Sequence, residues 1–369
     1  MKEISVRSLL AGAQPASERV ALLSIWFRGH NNPRYAELLP RLERLDAYLL
    51  RLPESRIPRG IGFRAFTATK PLLLRTALRR AGRRYANLLS LDFDQLAHWP
   101  GAAVMDADDP FFTGREVTLL QLPAVRAYVV TAESAARRYE ALGVDKPWIV
   151  IPQGVNLEAA TPELRREAAE RKQPGRPVLG WMAAHLLTKG DPDAGNTLYN
   201  VDHLLELWEQ IHERVPGARL WLVGEPSDRL RSRLSGRDDV VLFGRLSRER
   251  ALATASCFDV APYARTADQG VRAAKVSELI GLGVPTVSYD YEVTANLRET
   301  GAGVLVSDAR SFVDAAATLL TDDGARAELA AAAVRAGRKL DWNVLAQRYA
   351  DEVLSAYLPP RPETLVSRA

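Results

Sequence analysis

PYARTADQGVRAAKVSELIGLGVPTVSYD, residues 262–290, decides how the rest of the chain is read. Val260 to Tyr263, after Asp259, is the end of a short apolar strand. A polar loop carrying Arg265, Asp268 and Gly270 follows. Ala273 to Leu282 is an amphipathic helical stretch in which Lys275 and Glu278, three residues apart, share one face. Gly281 and Gly283 end the helix, and Pro285 opens a second apolar run to Tyr289. A strand, a polar loop, a helix N-terminus and a second strand make one unit of a doubly wound α/β sheet. In such sheets ligands sit beyond the carboxyl ends of the strands.

The chemistry of that loop points to a phosphate and a diol. Backbone N–H groups at the helix start, near Gly270 to Lys275, favour a phosphate, and Lys275 adds a point charge. Glu278 is able to accept two hydrogen bonds from a vicinal diol such as a ribose. The pair therefore suits the two ends of a nucleoside diphosphate. The same spacing also describes an exposed i,i+3 ion pair worth roughly a few tenths of a kcal/mol, and spacing alone does not separate the two.

The pattern K-x-x-E-x-x-x-x-G-x-P from Lys275 to Pro285, preceded by P-Y-x-R-T at Pro262 to Thr266, resembles the donor-site signature of GT-B glycosyltransferases of the family-4 (group 1) type. The resemblance runs from Val20 to Tyr357 and is strongest from Val178 onward. It implies two Rossmann-like α/β domains facing a central cleft, with a C-terminal helix crossing back onto the N-terminal domain. It also implies transfer of a sugar from a nucleoside-diphosphate donor to a hydroxyl acceptor, with retention at the anomeric carbon, in bacterial glycan, glycolipid or polysaccharide synthesis. By resemblance Glu278 holds the ribose.

The donor-side set is then Glu278, Lys275, Arg265, Asp268, Gly270, Arg272, Lys189 and Gly224. Two departures matter. Many members carry a second glutamate where this chain has Gly270, with Asp268 close by as a substitute. Tyr199 and Asn200 occupy a usual Lys-Gly position, and Lys189 is the only lysine or arginine between Val178 and Asn200. Phosphate neutralisation then falls to Arg265, Arg272 or Lys275. These departures keep two other readings open: a non-catalytic binding or scaffolding protein on the same fold, and an inverting transferase using an aspartate base.

A chain of 369 residues, 47% hydrophobic and 25% charged, suits two globular domains. The expected division is a tail at 1–18, an acceptor-side domain at 19–156, a linker at 157–177, a nucleotide-sugar domain at 178–340, and a helix and tail at 341–369. Gln153-Gly154-Val155-Asn156 resembles the family's P-N-G-V-D at the domain junction. The single cysteine, Cys257, excludes an internal disulfide framework and reads as a small core residue. No Cys/His spacing suggests a metal, and no cofactor is expected beyond the nucleotide-sugar substrate. No apolar run approaches a membrane span and the N-terminus lacks a signal-peptide core, so a cytoplasmic protein is expected.

The first half supplies acceptor-side candidates. The strand Val20 to Phe27 runs into a polar loop with His30, Asn31, Asn32 and Arg34, before a helix from Tyr35 to Arg44. The strand Ala102 to Met105 runs into Asp106-Ala107-Asp108-Asp109-Pro110. A tight acidic cluster there is costly unless solvated or paired with cations. Asp106 and Asp109 match a D-x-x-D found in some family members, where one carboxylate orients an acceptor hydroxyl or acts as general base; with Lys275 they form the catalytic set. Helix capping and solvated loop charge explain them equally.

Between Ser55 and Ser90 there is no acidic residue but nine basic ones, and Lys70 to Leu89 also carries Leu72, Leu73, Leu74, Leu78, Leu88 and Leu89. Lys70 to Leu89 therefore reads as a basic amphipathic helix, and segment 56–84 as suited to an anionic membrane surface or acceptor, at the inner face of the membrane, or as a solvated arginine-rich face. No recognised nucleic-acid motif accompanies the charge.

Overall fold

A computed structural model of the chain describes residues 18–26, 33–51, 72, 74–192, 200–266 and 273–360. The chain divides into two compact units, Met1–Pro152 together with Asn343–Ala369, and Gln153–Trp342.

The first unit is built on six parallel strands in the order β2-β1-β3-β4-β5-β6. They are β1 (Val20–Trp26), β2 (Leu45–Arg51), β3 (Asn87–Ser90), β4 (Ala102–Ala107), β5 (Val125–Val130) and β6 (Trp148–Val150). Every residue of β3 and β4 is buried, the pattern of strands covered on both faces. The helices are α1 (Pro33–Leu38), α2 (74–81), α3 (Phe93–Leu96), α4 (Gly114–Leu120) and α5 (Glu133–Ala141). The helix expected from Tyr35 to Arg44 is shorter than its pattern. It ends at Leu38 and tightens into a 3-10 turn, Leu39–Arg41, because Pro40 has no N–H to continue the ladder.

The basic stretch also differs from its expectation. Helix α2 buries Leu74, Ala77, Leu78 and Ala81 in the core of the unit, while Arg75, Arg79 and Arg80, and Arg83 just beyond its end, are exposed. Leu88 and Leu89 belong to β3 rather than to a helix. The apolar face is thus used internally, and Leu72 is the one leucine of the described residues in this stretch left exposed. Residues 52–71 and 73 lie outside the described residues.

One buried polar cluster closes the unit. Arg34, at the start of α1, has no exposed surface. Its guanidinium donates to Asp106 Oδ2 through Nε at 3.3 Å and Nη2 at 3.2 Å, and to the carbonyls of Ile151 and Pro152 at 2.9 and 3.1 Å. The Tyr349 hydroxyl donates to the same Asp106 oxygen at 3.0 Å. Tyr349 lies in the last helical segment, where α14 (Trp342–Arg348) passes into a π-helical stretch, Tyr349–Ser355. Arg44 donates to Leu358 O, and Asn87 to Pro359 O. Residues 343–360 are therefore bonded into the first unit.

The second unit contains β7 (Val178–Leu186), β8 (Arg219–Pro226), β9 (Val240–Gly244), β10 (Ala261–Tyr263), β11 (Thr286–Tyr289) and β12 (Gly303–Val306). Two parallel ladders, β7-β8-β9 and β10-β11-β12, meet at a parallel bridge between Leu179 and Val260, where Gly180 N donates to Val260 O at 2.9 Å. The strand sequence across the sheet is β9-β8-β7-β10-β11-β12, the doubly wound order with its reversal between β7 and β10. Alternation along the strands supplies two cores. Leu179, Trp181, Leu220 and Leu222 face one layer, and Val178, Met182, Trp221 and Val223 the other.

The helices are α6 (Pro162–Ala169), α7 (Asp202–Arg214), α8 (Asp228–Arg233), α9 (Arg248–Ala255), α10 (Ala274–Gly281), α11 (Ala295–Thr300), α12 (Ala309–Thr321) and α13 (Asp323–Gly337). Neither α8 nor α9 is marked by periodicity, since RERALATA offers one large apolar residue, Leu252, for burial. Of the two glycines expected to stop α10, Gly283 makes the left-handed turn, with φ of +76°.

Removing one partner of the buried pair strands the other. Arg34→Met should lower the stability of the first unit by about 3–5 kcal/mol, read as a fall in its urea midpoint, and Arg34→Met with Asp106→Leu should recover much of the loss. A loss below about 1 kcal/mol for the single variant would show that the pair does not hold the unit together.

Candidate functional site

The reversal of strand order between β7 and β10 is where an open α/β sheet accommodates a ligand. Trp181 on β7 and Tyr263 on β10 meet across it, with ring centroids 5.6 Å apart. Lys275, in the first turn of α10, places its Nζ 5.1 Å from the centroid of the Trp181 ring. No side chain caps the start of this helix, whose N-cap is Ala273.

The desolvation of Lys275 decides its chemistry. Burial lowers its pKa from the usual 10.5 to about 8, Glu278 opposes that shift, and Arg265 adds to it. A lysine in this state is a cation near neutral pH that loses its charge under mildly basic conditions. Arg265 follows β10, is itself buried, and donates from Nη1 to the Tyr263 hydroxyl at 3.2 Å. Asp268, Gly270 and Arg272 lie outside the described residues.

Glu278 sits one turn beyond Lys275 and is only 6% exposed. Its Oε1 accepts a hydrogen bond of 2.7 Å from Nη2 of Arg248, at the start of α9. The exposed i,i+3 ion pair that the spacing also allowed is thereby replaced: the carboxylate is buried and joined to an arginine thirty residues away in sequence.

The loop after β7 is pinned by carboxylates. Lys189 N donates to Asp202 Oδ2 at 2.6 Å, and the Thr188 hydroxyl also bonds Asp202. Thr188 N and the Ser227 hydroxyl both bond Asp191 Oδ2. Arg233 donates to Asp202 Oδ1 at 2.6 Å. The Lys189 side chain is exposed, and Asn200, just before α7, accepts from Asp202 N at 2.8 Å. Gly224, in β8, packs closely against β7. Its φ is +144°, and a Cβ there would overlap the Ala183 carbonyl oxygen of the adjacent strand.

In the first unit the acidic loop after β4 splits into sealed and open carboxylates. Asp106, 1% exposed, is enclosed with Arg34 and Tyr349, so neither Asp106 nor Arg34 is open to an acceptor, contrary to their reading from sequence. Burial raises the Asp106 pKa, Arg34 opposes that, and Asp108 adds to it. Asp109 is the exposed member, with its carboxyl pushed up to about 6 by desolvation and by Asp108, against Arg34. His30, Asn31 and Asn32 lie outside the described residues.

Sequence reasoning missed Arg248, Trp181 and Tyr349. Trp181 is hidden inside an apolar strand run, and the other two are joined to their partners only by the fold. Among the described residues no group of three His, Cys, Asp or Glu side chains is placed to hold a metal ion, and no helix is long and apolar enough to cross a membrane.

Residues 194–322 match the family described as glycosyl transferases, group 1. A phosphatidyl-myo-inositol mannosyltransferase of Mycobacterium leprae is 28% identical over 230 residues, covering 59% of this chain and 56% of that protein. The match thus spans about half the length of that relative. Among solved structures, Anabaena HepE in complex with UDP and glucose is similar with a TM-score of 0.65 at 14% identity, over 91% of this chain and 100% of the other. WaaG, a glycosyltransferase involved in lipopolysaccharide biosynthesis, is similar with a TM-score of 0.62 at 12% identity, over 90% and 99% of the two chains.

The environment of Lys275 makes a prediction independent of any ligand. Competitive labelling with an amine reagent, read by peptide mass spectrometry, should give a half-maximal point near pH 8 for this residue. Because its folded pKa lies below the unfolded value, the folded state binds fewer protons between the two. Its contribution to stability therefore rises as pH increases from about 8 to 10.5. Titration with the surface lysines would contradict the desolvated environment.

Proposed function

We propose that this chain, which has the GT-B glycosyltransferase fold and carries a segment matching group 1 glycosyltransferases, transfers a sugar from a nucleoside-diphosphate donor to a hydroxyl acceptor. The observation that carries the reading is the pairing on α10. A lysine held at the strand-order reversal and a buried carboxylate one turn on support a diphosphate at the one and a ribose at the other. The bond from the anomeric carbon to the donor phosphate breaks, and the bond to the acceptor oxygen forms. With retention of configuration, the acceptor proton passes to the departing diphosphate. Lys275 stabilises the charge that develops on that leaving group, and Arg265 stands behind it. Asp109, the accessible carboxylate of the acidic loop, orients the acceptor hydroxyl; Asp106 and Arg34 hold the loop in place.

For the acceptor we propose a lipid-linked or glycan hydroxyl, in glycan, glycolipid or polysaccharide synthesis on the cytoplasmic side of an anionic membrane. The mannosyltransferase relative, whose name pairs a sugar with a phosphatidylinositol, supports a lipid acceptor. Exposed Arg75, Arg79, Arg80 and Arg83 support an electrostatic contact, at about 1 kcal/mol per basic residue. Because the leucines of α2 face inward, the contact involves charge without insertion of that helix.

The donor test uses binding and turnover together. Glu278→Ala should weaken nucleoside diphosphates by about 1–3 kcal/mol and leave inorganic pyrophosphate nearly unaffected. Equal losses for both would remove the ribose contact. Lys275→Ala should lower transfer of labelled sugar by about a hundredfold or more, with product configuration read by NMR. Donor that binds without any turnover would favour the non-catalytic reading.

The surface test is sedimentation with phosphatidylglycerol vesicles. Binding at low salt should fall with added salt and on replacing Arg75, Arg79, Arg80 and Arg83 by Ser. No binding at low salt would remove the membrane from the proposal.

A further inference from the structure

The loop after β9 brings a residue to the donor site that no local pattern marks. β9 ends at Gly244, and Ser247 caps α9 by accepting a hydrogen bond from Arg250 N. The cap fixes the first turn of the helix, and Arg248 is its first residue. From there its guanidinium reaches Glu278 on α10, with Nη2 2.7 Å from Oε1. The arginine side chain is about a third exposed, and the carboxylate is almost wholly buried.

We infer that Arg248 is the positioning residue for the nucleoside end of the donor site, acting through the Glu278 carboxylate. The inference rests on the donor reading given above. A glutamate that takes the two hydroxyls of a ribose must point its accepting lone pairs at the diol. A guanidinium at hydrogen-bond distance makes a charge-assisted bond that stops the side chain from turning.

Arg248 engages one of the roughly four lone-pair positions of the carboxylate, which leaves Oε2 and the remainder of Oε1 for the diol. Lys275, one turn earlier on the same helix, lies toward Trp181 and the start of α10. The two cations beside Glu278 thus divide the donor between them, with Lys275 at the phosphate end and Arg248 at the nucleoside end. The division predicts that Arg248 governs discrimination between ribose and deoxyribose and has little influence on phosphate affinity.

The experiment uses the full chain. Thermal stabilisation by UDP, GDP, ADP and CDP first identifies the nucleotide that binds. Calorimetric titration then compares that ribonucleotide, its 2′-deoxy form and inorganic pyrophosphate, in the wild type, Arg248→Ala, Glu278→Gln and the double variant. Arg248→Ala should weaken the ribonucleotide by about ten- to a hundredfold and bring it level with the deoxy form, with pyrophosphate unchanged. In the Glu278→Gln background the same replacement should have little further effect, because the group that Arg248 positions is gone. Arg248→Lys, which keeps a cation, should restore part of the ribose preference, and it carries the test if Arg248→Ala does not fold. A uniform loss across all three ligands, or an unchanged ribose preference, would overturn the role of Arg248 while leaving the donor reading intact. No stabilisation of the wild type by any of the four diphosphates would overturn the donor reading, and the role of Arg248 with it.

Discussion

A guanidinium with no exposed surface must be surrounded by acceptors, and around Arg34 the first unit is arranged to supply them. One carboxylate at the end of β4 and two carbonyls beyond β6 take its protons. These acceptors come from segments far apart in sequence, so the arginine fixes how the ends of two strands, β4 and β6, lie against α1. The Tyr349 hydroxyl bonds the same carboxylate oxygen and brings the last helical segment into the arrangement. The acidic loop gains its division of labour from this enclosure. Asp106 is committed to structure, and Asp109 stays accessible beside it with a carboxyl pushed up to about 6 by desolvation and by Asp108. A stretch that looks like three equivalent acids is two buried groups beside Arg34, Asp106 and Asp108, and one accessible group, Asp109.

The second unit meets a different constraint. Strand order reverses between β7 and β10, which are joined by the Leu179–Val260 bridge. Two buried aromatic rings, Trp181 and Tyr263, pack together at that point, and a lysine with a lowered pKa lies over one of them. Burial makes that ammonium cheap to neutralise and strong in its pull on an anion, since the same low polarity that destabilises the lone charge strengthens its attraction to a phosphate. The carboxylate one turn away is kept compatible with burial by Arg248. Both arrangements convert a local desolvation cost into a directed electrostatic field.

Much of the second unit was legible in the sequence, because its signals are local. The run from Pro262 to Asp290 carries its strand, helix and glycine turn within a single window, and the structure has all three. What was not legible depends on distance. Arg34 and Asp106 are 72 residues apart, and Asp106 and Tyr349 are 243 apart. Periodicity says which face of an element is apolar and nothing about which distant charge lies opposite. The stretch from Lys70 to Leu89 shows a related ambiguity. Leucines at helical spacing beside arginines describe a helix on a membrane and a helix on a protein core equally well, and Leu74 and Leu78 turn out to pack inward. At Gly224 a neighbouring carbonyl leaves no room for a side chain, a contact that the sequence does not show.

The division of the chain sets an order for its biosynthesis. The second unit is continuous, Gln153–Trp342, whereas the first is completed by Asn343–Ala369. A ribosome delivers the chain from its N-terminus, so every strand of the first sheet has emerged long before Tyr349 exists to bond Asp106. The unit encoded first is therefore the one finished last. During the interval its acidic strand end has Arg34 as a partner but lacks the tyrosine hydroxyl, and the second unit, which needs nothing from either end of the chain, can close around its own core in the meantime.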